Sequence, residues 1–383
     1  MDKKQKRNRL REIKKFNNKK YTQYIKTQKR RFIPESEYLV TMQNNNNLLE
    51  IDDLKAYFYT DIGTVKAVDG VTFNVPFGKT VGIVGESGCG KSVTSLAIMR
   101  LLQNPQGQIA GGSIRFNQLS KNRAVNIPKM PLSEIQKIRG NEIAMIFQEP
   151  MTSLNPVFTI GYQIDESIRL HNPNLKKSQV RDRCIEMLNL VGIARAEGIY
   201  KNYPHELSGG MRQRVMIAMA LSCDPQLIIA DEPTTALDVT IQAQILDLLK
   251  KLKEKINSSI MLITHDLGVI AEMADYVIVM YAGKIVEQGT AEDIFYNPAH
   301  PYTVGLMKSR PSLNADQERL YSIPGNVPNP IYLPSYCYYK NRCEFSTDQC
   351  SGKYPQILSL SDTHKVSCFN PVREKVLIGG NNG

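Results

Sequence analysis

TVGIVGESGCGKS, residues 80–92, joins a short apolar run to a glycine-rich turn. The turn fits the spacing G-x-x-x-x-G-K-[ST]. In this pattern backbone N–H groups point inward around phosphates, and the helix that follows adds the positive end of its dipole. The lysine reaches the β- and γ-phosphates, and the hydroxyl binds Mg²⁺. The residues expected to contact a nucleoside triphosphate are Gly85, Ser87, Gly88, Cys89, Gly90, Lys91, Ser92 and Val93. Cys89 is interpreted as a small residue that the turn tolerates and not as a nucleophile.

Four more short apolar runs lie along the chain: IAMIFQ (143–148), LIIADEP (227–233), SIMLITHD (259–266) and YVIVMY (276–281). They are too short for most helices and do not alternate with polar residues, as is typical of parallel strands buried on both faces. Helical patterns at 92–103 and 240–255 separate some of them. We therefore expect an α/β domain with a mainly parallel sheet. Residues from about 150 to 224 carry no strand pattern and are predicted to be a helical insertion.

Polar residues stand where these predicted strands end. Asp231 and Glu232 follow one apolar run, and Gln148 and His265 end two others. Carboxyl ends of parallel strands meet at one edge of the sheet, beside the phosphate-binding turn. Mg²⁺ is then expected to bind Ser92, Gln148 and Asp231. The predicted catalytic residues are Glu232 as the base that activates water, with His265, Gln148 and Lys91.

A second glycine pair occurs in LSGGMRQR, residues 207–214, although one nucleotide needs only one phosphate cradle. The order of the motifs (phosphate loop, Gln148, LSGGMRQR, IIADEP, TALD, His265) resembles the ATP-binding subunit of ABC transporters over about residues 48–290. LSGGMRQR corresponds to the signature of that family, with Met211 in place of the commoner Gln. The resemblance implies a P-loop NTPase fold with an antiparallel β-subdomain and a helical signature subdomain.

The resemblance also implies that two such chains pair head to tail around ATP. Ser208, Gly209, Gly210 and Met211 would then contact a nucleotide held by the partner, and "SGG" precedes a predicted helix whose N–H groups suit an anion. Asp238, in TALD (235–238), would lie at the seam of the dimer. Phe58 or Tyr59 would stack on adenine.

The flanking sequences QEPMTSLNP (148–156), HPYTVGL (300–306) and IPGNVPNP (323–330) look like those of oligopeptide and dipeptide importer ATPases. This similarity implies ATP hydrolysis coupled to peptide uptake, at the cytoplasmic face of the cell membrane and peripheral to it. The implied partners are two transmembrane permease subunits, an extracytoplasmic substrate-binding protein and a second ATPase chain. That second chain is expected to be related but distinct, and a homodimer remains open. The stretch after Gln148 would dock the permease.

Two other functions fit parts of the same pattern. One is an importer of nickel or another small solute in the same subfamily, because this chain does not select the solute. The other is a soluble ABC ATPase that acts on nucleic acid or ribosomes. The chain has neither the second cassette nor the long coiled-coil insert usual in such proteins, so no specific nucleic acid is expected.

The net charge of +11 over 383 residues is uneven. Residues 1–31 hold fourteen Lys or Arg and two acids, so the rest of the chain is close to neutral. Residues 1–47, ending in QNNNN, are predicted to be a disordered tail and linker, although anionic lipids or RNA would also suit such a charge. No apolar run approaches the roughly 20 residues that cross a bilayer, and the N-terminus does not resemble a secretory signal.

Four cysteines crowd the proline-rich region 291–383, which is expected to be an irregular C-terminal extension: Cys337, Cys343, Cys350 and Cys368. Their spacing, C-x₅-C-x₆-C-x₁₇-C, lacks the close pairs of structural zinc sites, so from spacing alone metal binding and apolar packing both remain open. The resemblance implies a [4Fe–4S] cluster, with Zn²⁺ as the alternative.

Overall fold

The computed structural model describes residues 3–30, 32–148, 153–235, 238–309 and 321–372. The strands are β1 (Leu39–Val40), β2 (Asn47–Thr60), β3 (Gly63–Pro76), β4 (Thr80–Val84), β5 (Gly107–Gln118), β6 (Arg123–Asn126), β7 (Ile143–Ile146), β8 (Leu227–Asp231), β9 (Ser259–Ile263), β10 (Tyr276–Tyr281), β11 (Lys284–Thr290), β12 (Leu358–Ser359) and β13 (Lys365–Val366). The α-helices are Lys3–Gln28, Glu35–Tyr38, Lys91–Ile98, Leu132–Ile138, Ile160–His171, Lys177–Leu190, Ala196–Ile199, Gly209–Leu221, Val239–Ile256, Leu267–Met273, Ala291–Tyr296 and Pro301–Lys308.

The larger sheet has eight strands in the order β12-β13-β11-β10-β4-β9-β8-β7. Five adjacent strands, from β10 to the edge strand β7 and called here the central strands, are the five apolar runs predicted from the sequence, and they run parallel. The edge beyond β10 is antiparallel. The prediction of an α/β fold is therefore confirmed, with a mixed sheet.

Each central strand is buried on both faces because its side chains alternate between two apolar cores. In β8, Leu227 and Ile229 belong to one core, whereas Ile228 and Ala230 belong to the other. The first core lies against the smaller sheet and the second lies under the helices. Burial on both faces explains why these strands show no polar alternation in the sequence.

The smaller sheet is antiparallel, in the order β1-β6-β5-β2-β3. Its long strands β2 and β3 pair with several register shifts, which increase the local twist. The turn that follows β3 leads directly into β4 of the larger sheet, so the chain passes from the smaller sheet to the larger one a single strand before the glycine-rich turn.

Between β7 and β8 the described residues contain helices and no strand, as the sequence predicts for residues 150–224. Residues 149–152, part of the predicted permease dock, lie outside the described residues. No helix among the residues described is both long and apolar enough to cross a membrane.

The N-terminal segment differs from the sequence prediction. A disordered tail is predicted over residues 1–47, whereas the structure has a helix at Lys3–Gln28, called here the N-terminal helix. Asn17 is only 3% exposed, and its amide donates to the carbonyl of Thr60 at 2.9 Å. The Tyr21 hydroxyl donates to the carbonyl of Tyr59.

Spacing along the N-terminal helix explains the difference. Asn17, Tyr21, Tyr24 and Gln28 recur at intervals of three or four residues and therefore share one helix face. Tyr24 and Gln28 line a cavity of about 290 Å³. Beside this cavity, Tyr21 contacts Tyr59, and Gln28 contacts Arg100. Because basic residues dominate the composition of the helix, its charge alone does not indicate that polar and aromatic residues share one face.

Removing the two partly buried hydrogen bonds made by Asn17 and Tyr21 should release the N-terminal helix. We expect Asn17→Ala combined with Tyr21→Phe to speed tryptic cleavage within residues 3–30 by at least about fivefold, because each bond stabilises docking by roughly 1 kcal/mol. The rate of cleavage is followed by mass spectrometry. Asn18→Ala, on the exposed side of the same turn, is the control. Equal cleavage rates for the double variant and the control would show that the helix does not dock.

Candidate active site

The glycine-rich turn, residues 85–90, passes between two backbone segments without room for side chains. A Cβ on Gly85 would lie 2.1 Å from the carbonyl oxygen of Met280, and one on Gly90 would lie 2.3 Å from that of Ala67. Both glycines also have positive φ, which side chains disfavour. The turn therefore has a backbone path that only glycine permits at these two positions.

Lys91 begins the helix Lys91–Ile98 and is buried. Its ammonium donates to the carbonyl oxygens of Gly85 at 2.6 Å and Glu86 at 3.2 Å, so it lies across the turn. Cys89 is also buried, and burial raises the pKa of its thiol. A buried, protonated thiol fits the interpretation of Cys89 as a small packing residue.

Ser92 and Asp231 come together from two elements. The Ser92 hydroxyl donates to one carboxylate oxygen of Asp231 at 2.9 Å, and Ser95 approaches the other at 3.4 Å. Burial raises the pKa of Asp231, and the nearby charge of Glu232 raises it further, against the hydrogen bond from Ser92. Hydroxyl and carboxylate oxygens beside a phosphate loop are ligands that Mg²⁺ prefers, so these residues fit the ion.

Glu232 is the centre of a polar cluster at the carboxyl ends of three strands. Its carboxylate accepts from the Gln148 amide at 2.9 Å and from the Thr235 hydroxyl at 2.9 Å. Nδ1 of His265 lies 3.3 Å from its other oxygen. Glu232 also has φ of 47°, a left-handed conformation that is uncommon for a non-glycine residue and concentrates at functional sites. The structure thus brings together three predicted residues that are distant in sequence.

Thr235 was not among the predicted site residues. The signal that could have found it is its position three residues after Glu232, in the turn that closes β8.

The two candidate adenine-stacking residues differ in accessibility. Tyr59 is buried beneath the N-terminal helix, and its ring meets that of Phe16 edge-on. Phe58 is half-buried and lies against Gly107. Of the two, only Phe58 keeps partial exposure.

The signature residues lie at the start of the helix Gly209–Leu221. Ser208 caps this helix, and its hydroxyl accepts from the N–H of Met211 at 3.3 Å. Ser208 and Gly209 are exposed, and Gly210 approaches Ile241. The exposed start of a helix is the kind of position at which backbone N–H groups can bind an anion.

Asp238 caps the helix Val239–Ile256 by accepting from the N–H of Ile241 at 2.9 Å. Its neighbours Ala236 and Leu237 lie outside the described residues.

Burial, and then nearby thiols, raise the pKa of three of the four C-terminal cysteines, Cys337, Cys343 and Cys368. Burial and then the neighbouring thiols raise the pKa of Cys343 to about 11 and that of Cys368 to about 12. Within the described ranges, which include all four thiols, no group of three or more His, Cys, Asp or Glu side chains could hold a metal ion. The predicted [4Fe–4S] cluster and its zinc alternative are therefore not supported, because proximity has not produced a coordination geometry.

Comparison with known proteins places the chain in a family. A sequence model described as "ABC transporter" matches residues 68–235. A second, described as "Oligopeptide/dipeptide transporter, C-terminal region", matches residues 286–350.

Dimeric ABC cassettes are among the similar solved structures. One is a post-hydrolysis dimer of the cassette MJ0796 bound to ADP and Pi, with TM-score 0.56 and 26% identity, covering 63% of this chain and 98% of that one. A further similar structure is that of CbiO1 from Clostridium perfringens, part of the ABC transporter complex CbiONQ, with TM-score 0.54 and 26% identity, covering 66% of this chain and 91% of that one.

Curated relatives match over most of their length. The oligopeptide transport ATP-binding protein AppD of Bacillus subtilis is 52% identical over 324 residues, which is 85% of this chain and 97% of AppD. The dipeptide transport ATP-binding protein DppD of Escherichia coli is 47% identical, over 85% of this chain and 97% of DppD. This chain therefore belongs to the family of ATP-binding proteins of oligopeptide and dipeptide ABC transporters.

Proposed function

We propose that this chain hydrolyses ATP in a site shared with a second ATPase chain and thereby powers the uptake of oligopeptides or dipeptides. The observation that carries the proposal is the arrangement of the motifs. The phosphate loop and the Glu232 cluster face one site, whereas Ser208 and Gly209 are exposed for another molecule. The names of AppD and DppD support a peptide as the transported solute.

In the proposed reaction Lys91 and the N–H groups of the turn bind the β- and γ-phosphates of ATP. Ser92 and Asp231, with Gln148, would hold Mg²⁺, which neutralises charge on the phosphates. Glu232 accepts the proton of a water that attacks the γ-phosphorus in line, and the bond to the β-phosphate oxygen breaks to release ADP. Gln148 and Thr235 orient the Glu232 carboxylate, and His265 lies at its exposed side.

The dimeric state of a similar cassette supports the proposed pairing of this chain with a second ATPase chain. The MJ0796 cassette, which shares this fold, was solved as a dimer with ADP and Pi. In an equivalent dimer the exposed start of the helix Gly209–Leu221 would face the partner's nucleotide, and Asp238 would lie at the seam. Phe58 would stack on adenine.

The proposed place of work is the cytoplasmic face of the membrane, next to two permease subunits and supplied by an extracytoplasmic substrate-binding protein. The ATPase domain would span about residues 48–290, and the C-terminal region would follow it.

A large apolar groove supports docking of a permease. The groove has a volume of about 740 Å³ and lies between the larger sheet and the helix Ile160–His171. Exposed Leu101, Phe147 and Leu170 stand at it, with four methionine side chains, which adapt to a partner's shape. Ser153 and Leu154, from the stretch predicted as the dock, also line it.

The first prediction from the proposed function concerns Glu232 as the catalytic base. Glu232→Gln keeps the size and hydrogen bonds of the side chain but cannot accept the proton, so ATP hydrolysis should fall by about 10²- to 10⁴-fold. ATP binding should remain, and the variant should accumulate as an ATP-bound dimer in size-exclusion chromatography. Glu254→Gln, an exposed glutamate on the helix Val239–Ile256, is the matched control. Normal hydrolysis by Glu232→Gln in the membrane assembly would exclude Glu232 as the base.

The second prediction concerns the shared site. A side chain on Gly209 meets nothing within 4 Å in this chain, and an acid suits the first turn of a helix, so Gly209→Asp should fold normally. Its carboxylate would instead repel the phosphates bound by the partner. We expect ATPase activity of the assembly to fall by about tenfold or more, with unchanged ATP binding to the isolated chain.

Gly198→Asp is the control for this variant, because a side chain there also meets nothing within 4 Å. If Gly209→Asp and Gly198→Asp hydrolyse ATP equally well in the assembly, the signature does not contact a nucleotide.

The third prediction concerns the permease dock. Leu170 is 73% exposed at the groove, and Leu170→Lys would place a charge in the proposed apolar interface. Copurification of the permease subunits from membranes should fall by about tenfold or more, since burying an unpaired charge is costly. Leu119→Lys, at an exposed leucine outside the groove, should copurify normally. Retention of the permease by Leu170→Lys would place the dock elsewhere.

A further inference from the structure

Glu86 occupies a variable position of the phosphate loop, yet its side chain is paired with a residue far along the chain. The Arg342 guanidinium donates to both oxygens of the Glu86 carboxylate, at 2.9 and 3.0 Å. The Arg342 side chain is only 6% exposed. Two parallel bonds in a largely buried pair hold both groups in one geometry, unlike a single surface ion pair.

Arg342 is itself held in place by the C-terminal region. Its Nε donates to the carbonyl of Pro324 at 2.8 Å, and Nη2 approaches that of Ile323 at 3.3 Å. The guanidinium also lies over the rings of Tyr281 and Tyr339. Burial lowers the pKa of Arg342, but the bonds to Glu86 and Tyr281 more than offset this and raise it. The cation opposite Glu86 is therefore permanent and directed.

A second contact reaches the backbone of the same residue. The N–H of Glu86 donates to the hydroxyl oxygen of Tyr302 at 2.8 Å, and Tyr302 is fully buried. His300 fixes the start of the helix Pro301–Lys308, because its Nδ1 accepts from the N–H of Tyr302 at 3.0 Å. Burial lowers the pKa of His300 to about 3, so the ring stays neutral and keeps this acceptor.

Glu287 anchors this turn to the larger sheet. Its buried carboxylate accepts from the N–H groups of Ala299 and His300, at 2.7 and 2.8 Å. These bonds hold the turn that precedes Tyr302 against β11, so a strand of the larger sheet positions the Tyr302 hydroxyl.

The carbonyl of Glu86 completes the connection to the reacting groups. It accepts from the Lys91 ammonium at 3.2 Å and from the N–H of Cys89 at 3.3 Å. Every polar group of Glu86 is therefore engaged, the side chain and N–H by the C-terminal region and the carbonyl by the phosphate loop itself.

We propose that Arg342 and Tyr302 are positioning residues of the ATPase reaction, which hold Glu86 so that the phosphate loop and Lys91 are prearranged for the ATP phosphates. Arg342 also neutralises a carboxylate that would otherwise repel the triphosphate. The inference depends on the proposed function, since it assigns ATP to this loop. It gives the C-terminal region a role in nucleotide binding that acts through Glu86.

The test is a double-mutant cycle on the full chain, measured as ATPase kcat and KM in the membrane assembly. Arg342→Gln should lower kcat/KM by about tenfold or more, mainly by raising KM, because Glu86 is left charged beside the phosphates. Adding Glu86→Gln removes that charge and should recover about threefold or more of the loss. Arg342→Lys keeps the charge but not the paired geometry, so its kcat/KM should lie between that of the unmodified chain and that of Arg342→Gln.

Arg183→Gln is the matched control, because Arg183 also pairs with carboxylates, Asp224 and Glu186, in another part of the chain. It should leave kcat/KM unchanged. If Arg342→Gln does not fold, as judged by its melting temperature, Tyr302→Phe gives the second measurement. That variant keeps the ring and loses only the acceptor, and KM should rise by about threefold or more.

Strictly multiplicative effects of Arg342→Gln and Glu86→Gln, or an unchanged KM in Tyr302→Phe, would overturn the inference and reduce the contacts to fold stability. Lys91→Ala separates this from the proposed function, with binding of a fluorescent ATP analogue as the readout. If Lys91→Ala loses binding of the analogue, the proposed function stands, whatever the Arg342 variants show. If Lys91→Ala binds the analogue normally, the proposed function is wrong.

Discussion

The structure depends on a backbone constraint at the phosphate loop. The turn after β4 passes between the carbonyl of Met280, in the larger sheet, and that of Ala67, in the smaller sheet, at distances that exclude a side chain. The loop is therefore enclosed by both sheets, and its N–H groups can converge only because Gly85 and Gly90 adopt left-handed conformations. The parallel strands beside it deliver Asp231 and Glu232 to the same edge. Binding and chemistry share one rigid support.

That support assembles only part of an ATPase site. The Ser92 hydroxyl contacts Asp231, whereas Gln148 and His265 contact Glu232. The signature residues at the start of the helix Gly209–Leu221 are exposed at another surface. In the proposed function, a site divided in this way would couple hydrolysis to the approach of a second chain, and a transporter could convert that approach into movement of its membrane subunits.

Much of this arrangement could be predicted from the sequence, because the signals are local. The five central strands are continuous apolar runs, and Asp231 and Glu232 directly follow one of them. The N-terminal helix was missed because its contacts, made by Asn17 and Tyr21, depend on a partner surface at Tyr59 and Thr60 that the sequence does not reveal. The family resemblance implied a metal site at the four C-terminal cysteines, whereas the thiols adopt no geometry that binds a metal among the described residues. Spacing limits which side chains can meet and does not set their directions.

The sequence by itself indicated the nucleotide site, the α/β class and the family, since each rests on short motifs of adjacent residues and on the order of those motifs along the chain. Only the tertiary structure decided that Phe58 is more accessible than Tyr59, that Thr235 joins the Glu232 cluster, and that Arg342 and Tyr302 hold Glu86. These last contacts join residues more than two hundred positions apart. The physical reason is that an ion pair or a buried hydrogen bond depends on distance in space. For residues so far apart in the chain, that distance is set by the tertiary arrangement of all the strands between them.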